Sequence, residues 1–465
     1  MSIPTPEPGQ PKTDAGQKLS FLTKFFYGIG DIGNAIINSA IQFFLMKFYT
    51  DGAMILPALA GNALLIGKFW DAVNDPLFGW IADRTNAKIG RRRVFMFFGA
   101  IPLGISISLL WFVPQGVSRV MTFIWIALTF ILFDTLWTLT NVPYYALTSE
   151  LTDDYDERSA LTTFRMVMAV PAYLVGVALT PIIVGAFALE RSGWGFVGIL
   201  YGAICAVVLL ISASGLRERQ KVIATEATTN VWGSFKATFS NRPFLQLCVA
   251  YLVINLSFAL IKTLMAYFLE YHLLMKDEIP LVMGLMLVFV TLSLPVWKKF
   301  SEKLDKGPAY AIGMSIGALA VGSSFFLPHE KSTLIYILAS LAGIGFGAQW
   351  IFPWAMVADV VDYDRLNTGE FRSGMYFGVW GLATKISEAF AIAGVGWILT
   401  GYGYVPNVAQ TTRSLFGIRF FFGPIPGIVI LLTLPLLIWY PITRQKHASI
   451  RQQLAEKDTQ QEQSA

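Results

Sequence analysis

The stretch FWDAVNDPLFGWIADR, Phe69 to Arg84, carries three residues whose types and spacing suit a small cation: Asp71, Asn74 and Asp75. At i, i+3 and i+4 they share one face of a helix, so two carboxylates and an amide oxygen converge at one depth. Na⁺ takes oxygen ligands of this kind, with Asp71 and Asp75 as the anionic pair, and a proton could use either carboxylate instead. The surrounding run is apolar and long enough to cross a bilayer, where an ionised side chain costs at least about 2.5 to 3.5 kcal/mol on insertion scales. Acids at such a cost mark a functional site by default. The plainer alternative is that one of them pairs with a Lys or Arg of a neighbouring helix.

Other polar residues fall at the same depth. Counted at 1.5 Å per residue, Asp75 and Asp71 lie about 8 and 12 residues from the inner end of their segment. Thr138, Asn141, Arg165, Trp350 and Lys385 come out in the same layer, roughly 8 to 18 Å up. Lys385, in FGVWGLATKISEAF, is too far from either end to snorkel. It must face a polar cavity, where it could reach the acids, with Glu388 one turn on as a local alternative partner. Tyr144, Tyr145, Trp350, Trp354 and Trp380 sit at this level and could stack on a sugar ring, although each alone would serve equally as packing. Enzyme chemistry finds no such convergence. His272, His329 and His447 lie near or beyond segment ends, no glycine loop cradles a phosphate, and Cys205 and Cys248 fall inside apolar runs as small buried residues. No enzyme, cofactor or ATP-driven step is expected.

The elements that must position this layer are membrane helices. In 465 residues, 55% are hydrophobic and 14% charged, with a mean hydropathy of +0.56, which is too apolar for a soluble globule. The expected class is an all-α membrane protein with twelve spans, near residues 22–50, 56–82, 94–113, 119–149, 160–188, 193–214, 243–271, 279–297, 308–327, 332–361, 374–400 and 415–441. The loops after the second, sixth and eighth spans carry Arg84, Lys88 and Arg91 to Arg93; Arg217, Arg219, Lys221, Lys236 and Arg242; and Lys298, Lys299, Lys303 and Lys306. The opposite loops hold at most one base each, so both termini are expected in the cytoplasm. That placement explains the basic pI without nucleic acid. The tails, 1–21 and 442–465, are polar and resemble no catalytic domain; the start lacks the apolar core of a cleaved signal peptide.

The chain also repeats itself. GWIADRTNAKIGRRR after the second span is answered by KKFSEKLDKGPAY after the eighth, and NVPYYALTSELTDDYD in the fourth by IFPWAMVADVVDYD in the tenth. Echoes six spans apart in one orientation predict two parallel six-helix halves, 22–214 and 243–441, joined by a cytoplasmic linker at 215–242: the major facilitator fold. Gly79, Asp83, Arg84, Gly90, Arg91 and Arg92 take the form of that superfamily's cytoplasmic loop motif, with extra residues before Gly90. They are expected to steady the outward-open state.

YGIGDIGNA, FYTD, WDAVNDPLFGWIADRT, MVADVVDY and GYGYVPN, in this order from Tyr27 to Asn407, closely resemble the melibiose-permease-like family of glycoside, pentoside and hexuronide cation symporters. The resemblance covers nearly the whole chain. It implies that Asp71, Asn74, Asp75 and Thr138 form the coupling-cation site for Na⁺ or H⁺. It places Arg165, Trp350 and Lys385 in or beside the sugar pocket, with Asn141, Tyr145 and Trp380 as further substrate contacts. Where the family's galactoside carriers hold hydroxyls with an acid in the first helix and another in the fourth, this chain has Ala35 and Asn141, and Tyr145 replaces a pocket Trp. Asp31, one turn nearer the cytoplasm, is expected to be structural, paired with a neighbouring base. With two pocket acids absent and Arg165 and Lys385 kept, a positive cavity suited to anionic sugars such as glucuronides is expected, then xylosides or other neutral glycosides. The rivals are symport of a lysophospholipid, as in a related animal branch of the fold, and a sensor or scaffold that moves nothing. The expected setting is a monomer in a bacterial inner membrane, cycling by alternating access.

Overall fold

The computed structural model describes residues 18–85, 87–152, 155–218, 238–370 and 372–464. The tail before residue 18 and most of the expected linker lie outside the described residues, as do the side chains of Asp83 and Arg84 and the surroundings of Gly79. The first six helices are α1 (Phe21–Lys47, continued by a π-turn Phe48–Gly52), α2 (Pro57–Arg84), α3 (Arg93–Leu110), α4 (Arg119–Leu151), α5 (Tyr155–Gly185) and α6 (Glu190–Gly215). Then follow α7 (Arg242–Tyr267, continued by Phe268–His272), α8 (Ile279–Lys303), α9 (Lys306–Ser323), α10 (Leu334–Thr368) and α11 (Ser373–Gly401). The last span is broken at Gly423 into α12 (Thr412–Phe422) and α13 (Pro424–Ile438), and α14 (Arg444–Ser464) is a polar tail helix.

Local sequence sets these boundaries. Ser20, Ser118 and Asn241 cap α1, α4 and α7, their side-chain oxygens accepting from the N–H of Thr23, Met121 and Phe244 at 3.1 to 3.2 Å. Gly369, at φ +75°, ends α10 in the left-handed conformation, its N–H bonded to the Arg365 carbonyl. Among the described residues, eleven helical spans are long and apolar enough to cross a membrane. α2 makes the twelfth by length; Lys68, Asp71 and Asp75 in its middle lower its apolarity. The chain is an integral, multi-pass membrane protein.

The two halves pack alike. α1 lies along α5, α2 along α4 and α3 along α6; six elements on, α7 lies along α11, α8 along α10 and α9 along α13. Across the interface, α2 meets α11 and α5 meets α8, a pair that the same shift exchanges, and α1 meets α7. Small residues permit the close crossings: a Cβ on Gly104 of α3 would lie 2.6 Å from the Gly202 carbonyl of α6.

The face without the termini is sealed. Asp51, buried just past α1, accepts from Lys47 Nζ (2.7 Å), Thr50 Oγ1 (2.8 Å), Tyr271 OH (2.7 Å) and Tyr404 OH (2.6 Å). Asn407 Nδ2 donates to its carbonyl, Thr50 shares a hydrogen bond with Tyr267 OH, and Lys47 also pairs with Glu270. FYTD and GYGYVPN, some 350 residues apart, are thus two sides of one lock between the halves.

Candidate functional site

The acids of α2 meet the lysine of α11 across the interface. Lys385 Nζ lies 2.6 Å from Asp71 Oδ1, 2.5 Å from Asp75 Oδ2 and 3.1 Å from the Asp71 carbonyl. Thr138 Oγ1, from α4, donates to Asp75 Oδ1 at 3.0 Å. Asn74 Nδ2 donates to the carbonyl and carboxylate of Asp134 at 3.1 and 3.2 Å, and Asn74 Oδ1 is buried with no hydrogen-bond partner among the described residues. An orphaned amide oxygen, two carboxylates and a hydroxyl gathered on α2 and α4 are the donor set a small hard cation takes. The Asp71 side chain is 8% exposed and that of Asp75, one turn nearer the termini face, 43%, so the cluster opens toward that face. An ammonium already bridges the two acids, so a cation that takes both must compete with Lys385.

A central cavity of about 380 Å³ runs between the halves beside this cluster. Asp31, Tyr145 and Trp350 line it, with Trp354, Glu388 and Lys262. Asn141 and Arg165 stand immediately behind: Asn141 Oδ1 accepts from the Nδ2 of cavity-lining Asn34, and Arg165 Nε lies 3.6 Å from Asp31 Oδ2 with its guanidinium 4.8 Å from the Tyr145 ring centroid. Tyr145 OH donates to the same Asp31 at 3.3 Å. Asp31 thus lies between the Arg165 guanidinium and the Tyr145 hydroxyl. Trp380 is fully buried, stacked on Tyr251 at 4.0 Å behind Trp354, and does not reach the cavity wall. Arg165 and Lys385 were expected to make the cavity positive; each instead faces acids that balance it, Asp31 for one and Asp71 with Asp75 for the other.

The arginines after Gly90 bond to the end of α4 and to the residues just past α6. Arg91 Nη2 and Arg92 Nε donate to Glu150 Oε1 at 2.5 and 2.9 Å, and the Arg92 and Arg93 N–H groups donate to Glu218 Oε1. Gly90, at φ +126°, makes the turn that aims them.

Sequence reasoning missed Asp134, Lys68 and Lys262. Asp134 lies one turn before Thr138 on the same face of α4, in FILFDTLWT, a signal present but not weighed. Lys68 sits one turn before Asp71 and links the clusters, 3.9 Å from Asp71 and 3.6 Å from Glu388.

Comparison with known proteins agrees with this architecture. The family described as "MFS/sugar transport protein" matches residues 26–444. The chain is 30% identical to an uncharacterized symporter, sll1374, of Synechocystis sp., covering 95% of this chain and 97% of that one. It is 27% identical to the sodium-dependent lysophosphatidylcholine symporter 1 of Xenopus tropicalis, covering 95% and 91%. The solved D-xylose-proton symporter superposes with a TM-score of 0.68 over 90% of this chain and 97% of that one, at 14% identity, a likeness of fold. With twelve spans in two like halves, paired across a charged central layer, the chain belongs to the MFS/sugar transport protein family, a transporter of the major facilitator superfamily.

Proposed function

We propose that the chain is a cation-coupled symporter of a sugar or glycoside within the melibiose-permease-like family, not an enzyme, working by alternating access. The carrying observation is Lys385: an ammonium from the second half held by two acids of the first, beside a cavity between the halves. A coupling ion, Na⁺ or H⁺, would take Asp71 and Asp75, with Asn74 Oδ1 and Thr138 Oγ1 as neutral oxygens if it is Na⁺. Lys385, displaced, is then free to turn to the substrate, which would contact Tyr145 and Trp350 on the wall and reach Asn141 and Arg165 behind it. Ion and substrate raise each other's affinity by one factor, because each favours the state in which Lys385 has left the acids. The sealed face would be periplasmic and the termini face cytoplasmic, given the basic loops on the latter. A monomer in a bacterial inner membrane suffices, since one chain supplies every group of the site. The loop motif, Gly79, Asp83, Arg84, Gly90, Arg91 and Arg92, would hold the outward-open state.

A second reading, symport of a lysolipid, is favoured by the apolar wall of the cavity, which includes Met166, Leu174, Phe258 and Leu287, and by the lysophosphatidylcholine symporter among the relatives. Binding of glycosides, glucuronides and lysolipids in proteoliposomes, with and without Na⁺ and at two pH values, decides between them. The symport reading expects tighter binding of one class with a cation, and loss of that gain in Asp75→Cys. A cation without effect on every solute would refute coupling.

A further inference from the structure

Lys262 of α7 is 6% exposed, lines the cavity just inside the sealed face, and forms no ion pair among the described residues. Its described polar partner is neutral: Nζ donates to Gln42 Oε1 at 2.7 Å, over the Phe258 ring. A buried ammonium is costly unless an opposite charge meets it. Glu388, a carboxylate of the same cavity wall, is engaged with Lys68 of α2 at 3.6 Å.

The hydrogen-bond directions around Lys262 follow from its chemistry. An ammonium can only donate, so Gln42 must present its oxygen, which also accepts from Tyr173 OH at 2.9 Å. Gln42 Nε2 must then donate to Asn38 Oδ1, at 2.7 Å. Asn38, one turn from Gln42 on α1, exposed and lining the cavity, spends its amide oxygen on Gln42, while its amide N–H groups have no partner among the described residues. Lys262 keeps two of its three N–H groups. This corner of the cavity therefore offers donors and a positive charge, with the Gln42 oxygen already taken by two donors.

We propose that Lys262, with Asn38, binds an anionic group of the substrate, a carboxylate or phosphate, and sets the preference for an acidic solute over its neutral analogue. The proposal rests on the symport reading and names the substrate class of that same cavity. It also moves the anion away from Arg165 and Lys385, which already face acids.

The test uses matched pairs: 4-nitrophenyl β-glucuronide against the β-glucoside for a sugar carboxylate, and lysophosphatidate against monoacylglycerol for a lipid phosphate. Binding to the full chain in proteoliposomes, with and without Na⁺, is expected to favour the acidic member of one pair by roughly tenfold to hundredfold. Lys262→Gln should abolish that preference by weakening the acid alone, and Lys262→Arg should keep it. Gln42→Glu should abolish it too, by giving Lys262 a carboxylate of its own. Acidic and neutral members bound alike by the unaltered chain, neither acid bound at all, or a preference that survives in Lys262→Gln, would each overturn the proposal. The neutral member's response to Na⁺ is read separately, so loss of coupling and loss of anion preference are distinct results.

Discussion

Asp51→Asn should open the sealed face. The carboxylate takes four side-chain donors, of which Tyr271 and Tyr404 come from the second half. Hydrogen bonds to a charged acceptor contribute about 1.5 to 3 kcal/mol and neutral ones about 0.5 to 1.5, so each of these two bonds weakens by about 1 kcal/mol. The Lys47 to Asp51 pair lies within the first half, so its loss does not act directly on closure, and Lys47 keeps Glu270 across the interface. The closed-to-open ratio should then fall about thirtyfold, a loss of about 2 kcal/mol at about 1.4 kcal/mol per tenfold. A population closed 99 to 1 would become about 3 to 1.

Spin labels at Val117 and Val408 report the change. Both are exposed on the sealed face, one in each half, and the buried Cys205 and Cys248 can be replaced by Ala so that labelling is confined to them. Double electron resonance should show a longer distance in Asp51→Asn at the expense of the short one. An unchanged distance distribution in a variant that keeps its melting temperature would refute the assignment of Asp51 as the lock.

Three further outcomes follow from the same geometry. Lys385→Gln removes the ammonium that competes for Asp71 and Asp75, so cation affinity should rise roughly tenfold or more while its coupling to substrate falls toward one; isothermal titration with Na⁺ and with protons measures both, and an unchanged affinity would show that Lys385 does not compete. Asp134→Asn replaces a buried carboxyl group hydrogen-bonded to Asn74, and should weaken cation binding roughly fivefold to fiftyfold with substrate affinity in the absence of cation unchanged. Gly202→Val drives a side chain against the Gly104 carbonyl, so it should cost about 1 to 3 kcal/mol and lower the melting temperature in detergent; an unaltered melt would mean that α3 and α6 do not cross so closely.

What the sequence discloses depends on how far apart the partners lie along the chain. The spans are legible because each is a local run of apolar residues, and the Asp71, Asn74, Asp75 face because three neighbours in one helix share it at a fixed spacing. Lys385 is legible as a functional lysine for the same local reason, but whether it serves Glu388, three residues on, or two acids more than 300 positions away is decided by the packing of α2 on α11. Arg165 shows the consequence: composition of the layer leaves it a spare positive charge, and the packing of α1 on α5 supplies Asp31. Lys262 is the converse case. Five residues before the end of α7, it reads as a lysine able to snorkel to the surface, and only the closure of Asp51 on Tyr271 and Tyr404 above it turns that end of the helix into the roof of a cavity. The charge that a substrate would meet is therefore set by the conformational state of the lock, so opening the sealed face should both admit the solute and hydrate the ammonium that holds it.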